Sequence, residues 1–348
     1  MEISTEKPVR VGVIGLGLAG KPHLDGYESA AGCELAVVCD IAERKLTPVV
    51  EARGVRGTTD HRSVLADPGI DAVAILLPHP LHHTVGAEAL RAGKHVCMAK
   101  PMTVTAAEAD GLIDLAAGAG LTLGVAESTR FVRAYIEAER MIRDGELGDV
   151  RMIRAFNADQ ILDEWADEGD ETQGWKREPH GCGAILDCGP HLFDLIAWFF
   201  GEVEVLQASA RSWVPGIPLD NHSVVAGRMT GGELFSLEVC SLTEYPHGER
   251  VEIYGSEGTL VIDQVLDPPM VLYRGNRDLR GSAVASVPYD IEGWKAESTG
   301  AAVHDFVKAV RTGRSPRVTA DEGRYVVSLI ERAYESVASG GLEVDARR

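Results

Sequence analysis

The sequence is poor in positive charge and in aromatic side chains, and it has no long apolar run. It has 34 Lys and Arg against 53 Asp and Glu, a net charge of −19, and 6% aromatic residues. Such a chain repels phosphate groups, so neither nucleic acid nor an anionic membrane is an expected partner. The longest apolar candidate, residues 195–200, is far shorter than the roughly 20 residues that cross a bilayer, and no membrane span is expected.

The six cysteines give no indication of a disulfide framework or of a metal site. No two of them have the CxxC spacing of zinc or redox motifs, and Cys182 and Cys188 have no further ligands in a recognisable pattern. Residues 1–8 lack the basic and apolar segments of a signal peptide. We therefore expect a cytoplasmic protein with reduced thiols and no bound metal.

The chain has the composition of a globular protein, and its 348 residues suggest about two domains. Up to residue 125, short apolar runs alternate with helical patterns, which predicts βαβ units and a parallel sheet. These strands are predicted over Val9–Ile14, Leu35–Cys39, Ala72–Leu77, His95–Met98 and Thr122–Val125.

From Val150 onward, longer alternating segments predict a large, open, mostly antiparallel sheet, followed by helices over Ala301–Arg311 and Ala320–Ala338. The predicted architecture is an α/β Rossmann domain over residues 1–125, joined to an α+β domain over residues 126–348. The second domain is expected to bind substrate and to mediate oligomerisation.

A GxGxxG motif directly follows the first predicted strand and precedes a helical pattern. Gly15 allows the tight turn, Gly17 lets the backbone approach a pyrophosphate, and Gly20 lets the helix pack on the strand. The helix N-terminus then presents N–H groups to the phosphates. Asp40, at the end of the second strand, can accept hydrogen bonds from ribose hydroxyls and would repel a 2′-phosphate, which favours NAD over NADP. Arg44 is the counter-argument, because it could pair with such a phosphate.

Polar side chains follow two further predicted strands. One strand leads to Leu77, Pro78 and His82, and the next leads to Lys100. Open α/β sheets bind ligands at the carboxyl ends of their strands, so Lys100 is expected to face the cofactor crevice. The alternative for Lys100 is an exposed surface lysine.

A third cluster contains Asp187 and His191. At a spacing of four they share a face if they lie on one helix. Alternatively Pro190 begins a helix, and His191 lies in the first turn, where the helix dipole favours a neutral imidazole. In both arrangements a carboxylate lies beside an imidazole, which suits proton abstraction. The structural alternative is a capping aspartate and a buried, hydrogen-bonded histidine.

Together these clusters resemble the glucose–fructose oxidoreductase/inositol dehydrogenase/rhizopine-catabolism (Gfo/Idh/MocA) family over nearly the whole chain. The chain departs from the family pattern at Ala99, where Glu is usual before Lys-Pro, and at His79, where Asn is usual. The matching stretches are Val13–Gly17, Asp71–Ile75 with Pro78 and His82, Gly93–Val96 with Lys100–Pro101, Arg130–Phe131, Gly145–Gly148, Asp187–His191 with Asp194, and Tyr254–Leu260.

The resemblance implies an NAD(P)-dependent dehydrogenase of sugars or cyclitols in which Lys100, Asp187 and His191 are catalytic. His191 would take the hydroxyl proton, Lys100 would stabilise the alkoxide and Asp187 would orient both, although family members differ in whether Lys or His is the immediate base. A homo-dimer or homo-tetramer built on the open sheet is also implied. The expected cofactor-binding residues are Gly15, Leu16, Gly17, Leu18, Ala19, Gly20, Asp40, Ile41, Arg44, Leu77, Pro78, His82 and Lys100. The expected substrate contacts are Arg130, Asp159 or Asn157, Trp175, His191 and Tyr245.

Six of the nine residues in 163–171 are acidic. A solvated surface loop is one interpretation. The other is recognition of a polycationic amino sugar, since the family places this segment near the mouth of the active site. The predicted function is therefore NAD-dependent oxidation of a secondary hydroxyl of a sugar, cyclitol or amino sugar, as in aminoglycoside (gentamicin-type) biosynthesis. The alternatives are a myo-inositol or aldose dehydrogenase and a non-catalytic NAD-binding regulator.

Overall fold

The computed structural model of the chain describes residues 7–17, 20–158, 174–175, 178, 181, 183–214, 219–243, 248–275, 281–284 and 293–347. The chain divides into two compact units. The first comprises residues 1–128 and 295–327, and the second comprises residues 129–294 and 328–348. No helix within the described ranges is long and apolar enough to cross a membrane.

The first unit is built on a six-stranded sheet in which every neighbouring pair is parallel. Its strands are β1 (Val9–Ile14), β2 (Cys33–Cys39), β3 (Arg56–Thr58), β4 (Ala72–Ile75), β5 (His95–Ala99) and β6 (Leu123–Ala126). The helices among them are α1 (Gly20–Ser29), α2 (Glu43–Arg53), α3 (His61–Leu65), α4 (His82–Arg91) and α5 (Ala106–Ala119). The strand order is β3-β2-β1-β4-β5-β6. This order reverses between β1 and β4, and such a reversal opens a ligand crevice at the carboxyl ends of the strands.

The local sequence explains most of these elements. All four residues of β4 are buried, as expected for a strand that is covered on both faces. Thr105 and Glu108 form a capping box that begins α5, and Gly120 ends it in a left-handed conformation. The prediction missed β3, because its three residues are largely exposed and have no apolar pattern.

Helix α9 (Trp294–Thr312) packs in the first unit, far along the chain from its other elements. Its buried side chains, among them Val303 and Phe306, join the hydrophobic cluster formed by β1 and α1. Gly26 of α1 permits this approach, because a Cβ there would lie 3.0 Å from the Val303 Cβ. The boundary predicted at residue 125 does not include this return of the chain, since an amphipathic pattern does not indicate which sheet a helix covers.

The second unit is built on a nine-stranded sheet, and among its described strands only the β7/β10 pair is parallel. Its strands are β7 (Val150–Ala158), β8 (Val203–Arg211), β9 (His222–Met229), β10 (Leu234–Cys240), β11 (Gly248–Gly255), β12 (Thr259–Asp263), β13 (Met270–Tyr273), β14 (Ser282–Ala283) and β15 (Val344–Asp345). Their order is β14-β13-β12-β11-β7-β10-β9-β8-β15. The described helices are α6 (Arg133–Arg143), α7 (Ala184–Asp187), α8 (Gly189–Phe200) and α10 (Ala320–Ala338), of which α10 begins in the first unit. The predicted fold class, a Rossmann sheet plus a mostly antiparallel sheet, is confirmed.

Candidate functional site

The glycine turn lies at the carboxyl end of β1 and leads into α1. Gly15 has a φ of +102°, and a Cβ there would lie 2.2 Å from the Leu76 carbonyl oxygen, so only glycine fits. Among the described residues, no atom lies within 4 Å of the position that a Cβ on Gly17 would take, so these residues leave room for a diphosphate at the start of α1. Leu18 and Ala19, also expected to bind cofactor, lie outside the described residues.

Gly20 has a different role from the one predicted. A Cβ there would lie 3.7 Å from the Gly15 carbonyl oxygen, which is an ordinary contact, so close packing of helix on strand does not require glycine at this position. The close approach occurs six residues later, at Gly26. The N–H of Gly20 instead donates to the Gly17 carbonyl at 2.9 Å and closes the turn at the start of α1.

Asp40 connects the end of β2 to the glycine turn. Its Oδ2 accepts the Leu16 N–H at 2.8 Å, and its Oδ1 accepts the Ala42 N–H at 2.8 Å. Each carboxylate oxygen can accept a further hydrogen bond from a ribose hydroxyl. The neighbouring Ile41 is 82% exposed and offers an apolar surface beside the carboxylate. These residues and the turn fit a dinucleotide such as NAD.

His82 connects two strand ends by hydrogen bonds and is not the cofactor contact that was predicted. Its ring has 0% exposure, with Nδ1 2.8 Å from the Pro101 carbonyl and Nε2 2.7 Å from the Leu77 carbonyl. Burial lowers the pKa of His82, and the neighbouring carbonyls oppose this effect. The ring thus holds the segment after β4 to the segment that carries Lys100, which is half-buried at the end of β5.

The structure resolves the two alternatives for the Asp187/His191 cluster. The chain leaves the helix at Cys188, so Asp187 ends α7 and His191 lies in the first turn of α8, with Pro190 at its start. His191 Nδ1 lies 3.1 Å from Thr129 Oγ1. Nothing in the sequence indicates this contact beyond the position of Thr129 immediately before the Arg130-Phe131 motif.

Arg130 lies in the core of the second unit and not at a surface that substrate could reach. It is 3% exposed, and its Nε and Nη2 donate to the two carboxylate oxygens of Asp194, each at 2.7 Å. The Arg130 guanidinium also lies 5.8 Å from the centre of the Trp198 ring. The predicted substrate contact is therefore replaced by a buried ion pair, which connects the Thr129–Phe131 3₁₀ helix to α8.

The remaining predicted substrate contacts are only partly described. Asp159, Tyr245 and the acidic residues 163–171 lie outside the described residues. Trp175 is half-buried, and its carbonyl accepts the Glu178 N–H at 3.1 Å. Asn157, the alternative to Asp159, is 4% exposed on β7. Among the described residues, no group of three or more His, Cys, Asp or Glu side chains could hold a metal ion.

The Rossmann sheet and its glycine turn define the class of this protein as dinucleotide-binding, and its family matches make it an oxidoreductase. Residues 9–127 match the family model described as "Oxidoreductase family, NAD-binding Rossmann fold", and residues 135–261 match the "GFO/IDH/MocA C-terminal domain". The chain belongs to the GFO/IDH/MocA family. The predictions of this family, of an oxidoreductase and of NAD as cofactor are confirmed.

Relatives of the chain include dehydrogenases and a reductase of sugars and cyclitols. The chain is 27% identical to levoglucosan dehydrogenase of Pseudarthrobacter phenanthrenivorans, covering 97% of this chain and 98% of that one. It is 26% identical to myo-inositol 2-dehydrogenase of Thermotoga maritima, covering 94% and 96%. It is 31% identical to dTDP-3,4-didehydro-2,6-dideoxy-alpha-D-glucose 3-reductase of Streptomyces violaceoruber, covering 76% and 75%.

A solved structure has the same fold. Levoglucosan dehydrogenase in complex with NADH and levoglucosan matches with a TM-score of 0.87 at 23% identity, covering 98% of this chain and all of that one. At this identity the similarity establishes the fold alone.

Proposed function

We propose that this protein is an NAD-dependent dehydrogenase that oxidises a secondary hydroxyl group of a sugar, cyclitol or amino sugar to a ketone. The observation that carries the proposal is the placement of His191 in the first turn of α8, against Thr129 and next to the helix that ends in Asp187. The relatives named for levoglucosan and inositol support a substrate of this class.

The glycine turn and Asp40 would hold the cofactor. The backbone of Gly15, Leu16 and Gly17 and the N-terminus of α1 would bind the diphosphate, and Asp40 would bind the adenine ribose. Ile41 would cover one face of the adenine. When bound, NAD supplies the acceptor for the hydride that leaves the carbinol carbon.

His191 accepts the proton of the substrate hydroxyl in this proposal. If its Nδ1–H donates to Thr129 Oγ1, Nε2 carries the lone pair that a base requires. The position in the first turn of α8 disfavours the imidazolium, which keeps the base neutral until it reacts. Lys100, from the end of β5, donates a hydrogen bond to the developing alkoxide, and Asp187 orients the two groups.

The charge of residues 163–171 favours a cationic substrate. The acidic residues 163–171 would raise the local concentration of a cationic amino sugar and pair with its ammonium groups. Trp175 would supply an apolar face for a sugar ring. A neutral inositol or aldose is the alternative substrate.

We also propose that the protein is a homo-dimer or homo-tetramer built on the face of the nine-stranded sheet that carries Val224 and Leu234, which we call the outer face. These side chains are 50% and 52% exposed. Apolar side chains in such positions favour a covered surface.

The proposal is tested by measuring NADH formation on levoglucosan, inositols, aldoses and amino sugars, at low and high salt. We expect turnover of at least one substrate. Lys100→Met and His191→Asn should each lower kcat by about 10²- to 10⁴-fold. The controls Lys308→Met and His304→Asn change exposed residues of α9 and should leave kcat unchanged. NAD binding without turnover of any substrate would favour the regulator and reject the proposal.

The salt series separates cationic from neutral substrates. If amino sugars are the substrates, kcat/KM should fall about tenfold from low to high salt, while kcat/KM for neutral polyols stays constant. Replacing the six acids by their amides should remove this dependence. Unchanged amino-sugar kinetics in that variant would reject the charge argument. The six acids are Asp163, Glu164, Asp167, Glu168, Asp170 and Glu171.

A further inference from the structure

Helix α7, which carries Asp187, is not stabilised by its own residues alone. It has only four residues, and an isolated helical turn is unstable because its nucleation is costly. Its N-cap residue is Gly183, which has no side chain to bind the first N–H groups. Buried N–H groups at a helix start need partners, so these must come from elsewhere in the fold.

A distant residue, Asp220, supplies two of these partners. The Ala184 N–H donates to the Asp220 carbonyl at 2.8 Å, and the Ile185 N–H donates to Asp220 Oδ2 at 2.9 Å. Tyr334 holds the same carboxylate, because its hydroxyl donates to Asp220 Oδ1 at 2.8 Å. The Asp187 N–H donates to the Gly183 carbonyl at 2.7 Å. Asp220 therefore accepts the first two N–H groups of α7, and Tyr334 fixes Asp220.

Gly183 makes room for this arrangement. A Cβ at residue 183 would lie 2.6 Å from Asp220 Oδ1 and 2.8 Å from the Tyr334 hydroxyl, closer than side-chain atoms can approach. Gly183 therefore explains both features of α7. Because it has no side chain, it cannot cap the helix itself, and it leaves room for the Asp220 carboxylate and the Tyr334 phenol.

The two partners belong to well-anchored parts of the second unit. Asp220 precedes β9, and the next residue, Asn221, donates its N–H to the Arg211 carbonyl at 3.0 Å and accepts the Trp213 N–H at 3.1 Å. Tyr334 lies on α10. Burial raises the pKa of Asp220, while its hydrogen bonds from Ile185 and Tyr334 lower it.

We propose that Asp220 and Tyr334 are positioning residues, which hold the start of α7 so that Asp187, and through it His191 at the start of α8, keep the geometry needed for proton transfer. This rests on the proposed function, in which Asp187 and His191 are catalytic. Burial is the main cause that raises the pKa of Tyr334, and the nearby charges of Asp220 and Asp187 raise it further, so the clamp and the catalytic carboxylate are neighbours. We call Asp220, Tyr334 and Gly183 the α7 clamp.

The test breaks the clamp at two independent places. Tyr334→Phe removes one hydroxyl and keeps the ring, and Gly183→Ala pushes a methyl group against Asp220. We expect each to lower kcat about 10- to 100-fold, because a displacement of about 1 Å in a catalytic group has effects of this size. KM for NAD should stay within about twofold of the wild type, because the glycine turn is in the other unit.

A matched control separates positioning from general stability. Ser336 is on the same helix, is 0% exposed, accepts the Ala208 N–H at 2.9 Å and donates to the Leu342 carbonyl at 2.6 Å. Ser336→Ala therefore removes two buried hydrogen bonds that do not touch α7. It should lower the melting temperature as much as Tyr334→Phe and leave kcat unchanged. An equal loss of kcat in this control would overturn the proposal.

Conservative replacement and hydrogen exchange complete the test. Asp220→Asn keeps an oxygen for the Ile185 N–H and should lose less than about fivefold in kcat, whereas Asp220→Ala should resemble Tyr334→Phe. Amide exchange of residues 184–187 should accelerate at least about tenfold in Tyr334→Phe and not in Ser336→Ala. This measurement requires no substrate, so it tests the clamp even if no sugar is turned over. Unchanged exchange in both variants would reject the clamp.

Discussion

His23 illustrates how burial alone changes the chemistry of a side chain in this protein. It lies in the first turn of α1 and is 6% exposed, and its Nδ1 has no hydrogen-bond partner in the described parts of the chain. Burial lowers the pKa of His23 from 6.5 to about 4, because the imidazolium would lose its hydration without gaining a partner. The folded state therefore holds this ring neutral.

The low pKa of His23 predicts an acid-sensitive fold. Above the unfolded-state pKa of 6.5 the ring is neutral in both states and has no effect on stability. As the pH falls towards 4, the unfolded chain binds a proton that the folded chain does not. The free energy of unfolding therefore decreases. Between pH 7 and pH 5 this loss is about 2 kcal/mol.

Urea unfolding of His23→Leu at pH 7 and pH 5 checks this expectation. The variant should lose about 2 kcal/mol less than the wild type over this interval. Some acid sensitivity should remain, because burial also lowers the pKa values of His82 and His95. His304→Leu, at an exposed position of α9, is the control. Equal losses in the wild type and His23→Leu would contradict the prediction.

Individual site residues were predictable where backbone chemistry restricts the choice. Gly15 needs a positive φ and Asp40 follows a buried strand, and both features can be inferred from the sequence. The family resemblance implies a substrate contact for Arg130, because it places the Arg130-Phe131 segment near the substrate. Only the fold reveals that Asp194, one turn of α8 beyond His191, neutralises it in the core.

At the scale of elements, this ion pair fixes the segment that contacts the catalytic histidine. The Arg130 and Asp194 side chains are 4% and 3% exposed. They form a bidentate ion pair between the Thr129–Phe131 3₁₀ helix and α8. Thr129 is adjacent to Arg130, so the same interaction holds Thr129 near His191. A buried charge that loses its partner is strongly destabilising.

We expect Asp194→Asn to lower the free energy of unfolding by about 3–5 kcal/mol, because the Arg130 charge stays buried and loses the Asp194 carboxylate. The double variant Arg130→Met with Asp194→Leu should recover most of this loss, since it removes both charges. Arg143→Ala, which breaks the exposed pair with Glu139, should cost at most about 1 kcal/mol. Urea denaturation measures all three. A single variant as stable as the double variant would contradict the prediction.

The sequence predicted which helices and strands exist better than it predicted which of them lie next to each other. The sequence predicted a mostly antiparallel second sheet from Val150 onward, because strands such as β10 alternate buried and less buried residues. The parallel pairing of β7 with β10 left no local signal, since it joins segments separated by two other strands in the chain. The α7 clamp was invisible for the same reason, because Asp220 and Tyr334 are distant from α7 in sequence.

At the scale of the whole molecule, the outer face of the second sheet combines charge and apolar surface. Arg154 of β7 donates to Glu238 of β10 at 3.0 Å and lies 4.0 Å from Glu252 of β11. Val224 and Leu234 lie on the same face, on β9 and β10. A surface with both signs of charge and exposed apolar groups can pair with a second copy of itself.

We expect light scattering to show a dimer or tetramer for the wild type and a smaller species for the double variant Val224→Lys with Leu234→Lys. A two-fold interface contains the same surface of both copies. Two lysines per chain therefore place four positive charges in the interface, where they repel one another. The control, Leu266→Lys with Leu342→Lys, changes two other exposed leucines away from these strands and should keep the wild-type mass. A monomeric wild type would refute the proposed assembly.

The return of the chain to the first unit affects how that unit can be made. Residues 295–327 belong to the first unit, and their Val303 and Phe306 pack in the hydrophobic cluster that contains the β1 side chains. A fragment that stops at residue 128 would leave this cluster open to water and should aggregate or stay partly folded. On the ribosome, the nucleotide-binding half consequently finishes folding only after most of the other half has been synthesised.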